Sequence, residues 1–126
     1  MLSRLPDAEL EIMQAVWKVG DEASSAEIVK NLPIEREWAV TTVLTLLARL
    51  VERGYLSVRR IGKNNIYAPI VSESSYLENV SKTFLQKLHG NSFKSLVAAL
   101  FEGNAISESD IKELKDYIDK KAGEDL

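Results

Sequence analysis

The stretch from Trp38 to Ile70 constrains this chain more than any other part of it. Its first half, Ala39 to Arg53, sets Val40, Val43, Leu44, Leu47, Leu50 and Val51 on one helical stripe and stops at Gly54. Its second half holds two strand-forming runs, Tyr55 to Arg59 and Asn65 to Pro69, across an Ile61-Gly62-Lys63-Asn64 turn. A helix followed by a hairpin with cations at its tip and base suits a winged helix-turn-helix. Two shorter helices precede it. One spans Pro6 to Val19, with Leu10, Met13, Val16 and Trp17 at helical spacing, and stops at Gly20. The other opens at Ser24, with Glu27 three residues on as its reciprocal cap, and reaches Leu32 before Pro33. The link from Leu32 to Trp38 reads as polar and tight.

The opposite side of the third helix carries the chemistry. Thr41, Thr42, Thr45, Ala48, Arg49, Glu52 and Arg53 fall together there. Threonine is a middling helix former, so three in two turns are not explained by propensity. Short hydroxyls and methyls permit close approach to base edges, and a threonine methyl packs on thymine. Arg49 and Arg53 reach phosphates from the same face. In the hairpin, Arg59 and Arg60 on the arm, with Lys63 and Asn64 at the tip, form a candidate phosphate clamp. A solvated face also tolerates threonines, and edge strands carry lysine against aggregation. The conjunction of a short second helix, a threonine face and a basic hairpin favours DNA contact over both.

Charge sharpens this rather than opposing it. The net charge is −3, and all of the acidic excess lies after residue 70. Between Arg49 and Lys63, by contrast, Arg49, Arg53, Arg59, Arg60 and Lys63 face only Glu52, so the basic footprint is local. The chain has no cysteine and a single histidine, His89, which excludes disulfides, thiolate nucleophiles and a thiolate or histidine metal site. No metal and no cofactor are expected. Arg4, Asp7, Glu9 and Glu11 interrupt the N-terminus against a signal peptide, and no apolar run approaches a membrane span, so a cytoplasmic protein without membrane insertion is expected.

Three further helices follow the hairpin. Ser74 or Ser75 caps one that ends near Gly90, Ser92 opens a short apolar one, and Ser107 with Asp110 caps the last. They carry more apolar surface than they can bury among themselves, which implies a partner, most simply a second copy. The residues expected at that contact are Tyr76, Val80, Phe84, Leu88, Phe93, Leu96, Val97, Leu100, Phe101, Ile111, Leu114, Tyr117 and Ile118. The alternative folds these helices back onto the winged domain as an ordinary core. The expected organisation is a DNA-binding domain over 1–71 and a helical dimerisation domain over 72–126, mainly α with a small antiparallel β wing.

The order of elements and several strings resemble the penicillinase-repressor (BlaI/MecI) family of bacterial transcriptional repressors over nearly the whole chain. The carriers are Ala8-Glu9-Leu10-Glu11-Ile12-Met13 with Val16-Trp17, then Trp38, Thr42, Thr45-Leu46-Leu47 and Arg49-Leu50. Gly54-Tyr55-Leu56, Tyr67 to Pro69 and Phe93-Lys94-Ser95-Leu96-Val97 complete the set. The resemblance implies a homodimer on a palindromic operator that represses by occluding a promoter, with Trp38 joining the DNA contacts. It implies β-lactamase or penicillin-binding-protein genes as targets and a membrane sensor protease as release pathway. The family's cleavage bond, Asn-Phe, corresponds to Ala99-Leu100, where neither residue matches. Ala39-Val40-Thr41 and Leu44 stand where staphylococcal members have Ser-Pro-Lys and an arginine, so the docking mode carries over better than the operator sequence.

Two other classes remain. An enzyme needs convergent acid-base or nucleophilic groups, whereas the glutamates here sit at helix starts or on exposed faces. A winged-helix module that binds protein and never touches DNA would not need the basic stretch from Arg49 to Lys63.

Overall fold

Residues 4–33, 35 and 37–124 are described in a computed structural model of the chain, and they form six helices and three strands. The link from 32 to 38 and the extreme N-terminus therefore lie partly outside the described residues. Helix α1 (Asp7–Val19) begins directly after Pro6, where a missing N–H leaves no helical bond unmade. Strand β1 (Ala23–Ser24) leads into α2 (Ser25–Lys30), whose start has the expected reciprocal cap. The Glu27 amide donates to Ser24 Oγ at 3.2 Å and the Ser24 amide to Glu27 Oε1 at 3.0 Å. The Ser24 amide foremost, and the Ser24 hydroxyl after it, hold the Glu27 carboxyl below its ordinary pKa.

Helix α3 (Val40–Glu52) then runs into β2 (Leu56–Ile61) and β3 (Asn64–Pro69). The hairpin closes with a two-residue loop, since Ile61 pairs with Asn64, and Gly62 supplies the φ of +61° that the loop's first position requires. Both strands thus reach two or one residues further toward the tip than the sequence suggested, and Asn64 is part of β3. The sheet has the order β1-β3-β2, all antiparallel. Strand β1 was not expected; two residues are too few for an alternating pattern.

The core lies between the three helices and the sheet. Ile12, Met13 and Val16 from α1 meet Ile28 from α2, Leu47 and Leu50 from α3, and Leu56 and Tyr67 from the wing. The phase of α3 differs from the expected stripe. Leu46 joins Val43, Leu47 and Leu50 inside, whereas Val40 and Leu44, expected inside, are exposed.

The chain divides into two compact units after Ser81, ten residues later than the expected boundary at 71. The reason is α4 (Glu73–His89), whose first half completes the first unit's core. Tyr76 is buried there, its hydroxyl accepting the Leu5 amide at 2.8 Å and its ring lying 5.7 Å from Trp17 and 6.1 Å from Tyr55. Trp17 Nε1 in turn donates to the Val71 carbonyl at 2.9 Å, and Val80 packs on the same core. Tyr76 and Val80, expected at a dimer contact, are thus core residues of the winged unit. The cap of α4 is Ser72, whose Oγ accepts from the Ser75 amide, and not Ser74 or Ser75.

The second unit holds the rest of α4, then α5 (Phe93–Glu102) and α6 (Glu108–Glu124). Ser92 caps α5, and Ser107 with Asp110 forms a reciprocal cap on α6 that holds the Asp110 carboxyl below its ordinary pKa. Among its described residues not one is buried. No described helix is long and apolar enough to cross a membrane.

Candidate nucleic-acid interface

With Val43, Leu46, Leu47 and Leu50 fixed inward, the geometry of α3 decides what faces solvent. Thr41, Thr42, Thr45, Ala48, Arg49 and Glu52 are all exposed. Thr41, Thr42, Thr45 and Arg49, with the edge of Leu46, line a shallow cleft of about 250 Å³. Thr45 Oγ1 donates to the Thr41 carbonyl at 2.9 Å, so its proton is committed to the helix. What it offers outward is a methyl and an acceptor oxygen. At the start of the helix, the N-cap residue Ala39 provides no side-chain acceptor. Unlike α2 and α5, this helix keeps its first-turn N–H groups clear of side-chain capping, an arrangement suited to an anionic oxygen.

The five expected cations divide into two sets. Arg49 and Lys63 carry no ion pair among the described residues, and Arg60 donates only to the Gly62 carbonyl at 3.2 Å within its own turn. All three are exposed and available to phosphate. Arg59 is paired with Glu22 at 2.6 Å, across from the segment that precedes β1. Both partners are half-exposed, and a pair of that kind contributes at most about 1 kcal/mol, so a phosphate competes with it.

Arg53 belongs elsewhere. Its Nε lies 3.4 Å from Oε1 of Glu9, a carboxylate only 2% exposed within α1. A buried carboxylate without a neighbouring cation is costly, and Arg53 is the group that offsets it. The expected phosphate contact is thus a tie between α1 and the end of α3. Trp38 also departs from a simple groove contact, being half-buried against the winged core. Asn64 is exposed at the wing tip beside Lys63. Neither Glu9 nor Glu22 is marked locally as a partner, because each lies dozens of residues from its arginine.

The expected dimer residues other than Tyr76 and Val80 lie in the second unit. Phe84, Leu88, Phe93, Leu100, Phe101, Tyr117 and Ile118 are exposed, and Leu96, Val97, Ile111 and Leu114 are half-buried. Between α5 and α6 runs an apolar groove of about 480 Å³, lined by Phe93, Val97, Phe101, Ile111, Leu114 and Ile118 among others. Ala99 and Leu100 sit inside α5 in regular helix, so a protease would have to unwind that helix to reach the bond between them.

Comparison with known proteins places this geometry. Residues 5–120 match the family model described as penicillinase repressor. A penicillinase repressor of Bacillus licheniformis is 30% identical over 119 residues, covering 94% of this chain and 92% of that protein. The methicillin resistance regulatory protein MecI of Mammaliicoccus sciuri is 31% identical over 117 residues, covering 93% and 94%. Among solved structures, the DNA-binding domain of the repressor BlaI superposes with a TM-score of 0.52 at 33% identity, covering 60% of this chain and 92% of that one.

Proposed function

This chain belongs to the penicillinase-repressor family of DNA-binding winged-helix repressors, a family of regulators and not of enzymes, and we propose that it acts as a homodimer on a palindromic operator. The observation that carries the reading is the outward face of α3. It brings three short threonines, an uncapped helix start and the unpaired Arg49 into one exposed surface, with Arg60 and Lys63 on the adjoining wing. The helix is the base-reading element, its first two turns entering the major groove. The wing and Arg49 grip phosphates, which fixes position without reading sequence.

Dimerisation rests on the second unit, whose exposed phenylalanines and leucines a second copy would cover. Two half-site readers joined in this way gain avidity that neither has alone. Repression follows from occlusion of the promoter, in the cytoplasm where the DNA lies. The names of the relatives point to penicillinase and methicillin-resistance genes, and β-lactam-resistance-type genes are the corresponding targets here. Release through a membrane sensor protease would need α5 unwound around Ala99 and Leu100.

Titration of duplex DNA against salt tests the reading. Each neutralised phosphate contributes roughly −0.9 to the slope of log K against log salt, so a dimer using Arg49, Arg60 and Lys63 twice gives about −5. No duplex binding at low salt contradicts it.

A further inference from the structure

The exposed face of α3 is not uniform around the helix. At about 100° per residue, Leu44 lies roughly 60° to one side of Thr41 and Arg49 roughly 80° to the other. One flank is therefore cationic and polar, with Thr42 and Arg49. The other is apolar: Val40 is 64% exposed and Leu44 41% exposed, one turn apart, with Ala48 a turn further along. Single exposed aliphatic residues are ordinary on a protein surface. Here, however, two stand stacked on the opening turns of the helix that faces DNA, while Thr45, on the Arg49 side of Thr41, has its hydroxyl proton already bonded to the Thr41 carbonyl. Val40 and Leu44 donate no hydrogen bond and cannot recognise a base through donor contacts. They fit the one apolar group that the major groove displays, the C5-methyl of thymine.

The geometry points to Val40 and Leu44 as specificity-determining residues that read thymine methyl groups along one side of the half-site, while Arg49 holds the backbone on the other. This rests on the DNA-binding reading of α3 and adds to it the chemical class of base recognised. Burial of one methyl against the two side chains changes affinity by about fourfold, so thymine is preferred at the positions they cover.

The test uses the full-length chain and a pool of random duplexes, from which bound sequences are recovered. Each thymine of a recovered duplex is then replaced singly by uracil, which removes the methyl and leaves base pairing unchanged. The expected result is a loss of about fourfold at one or two positions per half-site. In Leu44→Ala or Val40→Ala that loss shrinks toward none; both residues are exposed, and retention of the wild-type circular dichroism spectrum verifies folding. Tight binding that ignores uracil, or a uracil penalty unchanged in both variants, overturns the methyl reading alone. Failure to recover any bound duplex overturns the repressor reading and this inference with it.

Discussion

The two units of this chain reach order by different means. The winged unit encloses a core drawn from every one of its elements, down to Tyr76 of α4 and its hydroxyl bond to Leu5. The helical unit has the end of α4, two side-chain-capped helices and not one buried residue among those described, with a groove of about 480 Å³ left open between α5 and α6. Capping and helix propensity are enough to define a helix locally, but burial of apolar surface is what stabilises a domain. The contrast teaches that the winged unit encloses its own core, whereas the helical unit leaves its apolar surface open, which is the surface that the proposed second copy would cover.

The largest expected effect lies inside the winged unit. Arg53→Ala leaves the Glu9 carboxylate buried without its cation and lowers unfolding free energy by about 2–3 kcal/mol in urea titrations. Adding Glu9→Gln to it recovers much of that loss. Loss of duplex affinity with unchanged stability would return Arg53 to the phosphate contacts. Next comes the helical unit, where Phe101→Asp puts a charge on the exposed face of α5. The dimer should weaken by more than tenfold in sedimentation equilibrium, while the fold of the winged unit persists. An unchanged dimer would move the contact elsewhere.

Smaller effects follow at the surface. Lys63→Ala removes one phosphate contact per protomer, flattening the salt slope by about 2 for the dimer and weakening all duplexes alike. Sensitivity confined to one sequence would make Lys63 a base reader. The smallest effect separates the units by pH. Glu27 and Asp110 both have carboxyl pKa values lowered by the serine bonds of their caps, so each cap contributes stability above the ordinary carboxylate range and loses it as pH falls through the depressed value. Helix α2 is also anchored by the buried Ile28, while α6 has no buried residue among those described. Acidification below about pH 4 should therefore fray α6 before α2, as backbone amide shifts would report; the reverse order would argue for a hidden core around α6.

Most of the fold was legible because its signals are local. Ser24 with Glu27, Ser92, and Ser107 with Asp110 each mark a helix start through bonds within three residues, and Gly62 marks the hairpin. The exposed threonines and Arg49 followed from helical periodicity alone. What escaped depends on partners distant in sequence. Arg53 looks like any surface arginine until α1 brings Glu9 beside it, and Tyr76 looks like part of a surface stripe until Leu5 and Trp17 enclose it. The phase of α3 slipped for a different reason. Val40 and Leu44 are apolar, and periodicity assigns apolar residues to the core even where they are exposed, while the buried Leu46 falls outside the stripe that those two define.

The contrast between the units is tested most directly by amide hydrogen exchange across a dilution series of the intact protein. Protection of α5 and α6 should fall as concentration drops below the dimer dissociation constant, while that of α1 and α3 stays constant. Protection of α5 and α6 that does not change with dilution, in a chain shown to be monomeric, would contradict the account.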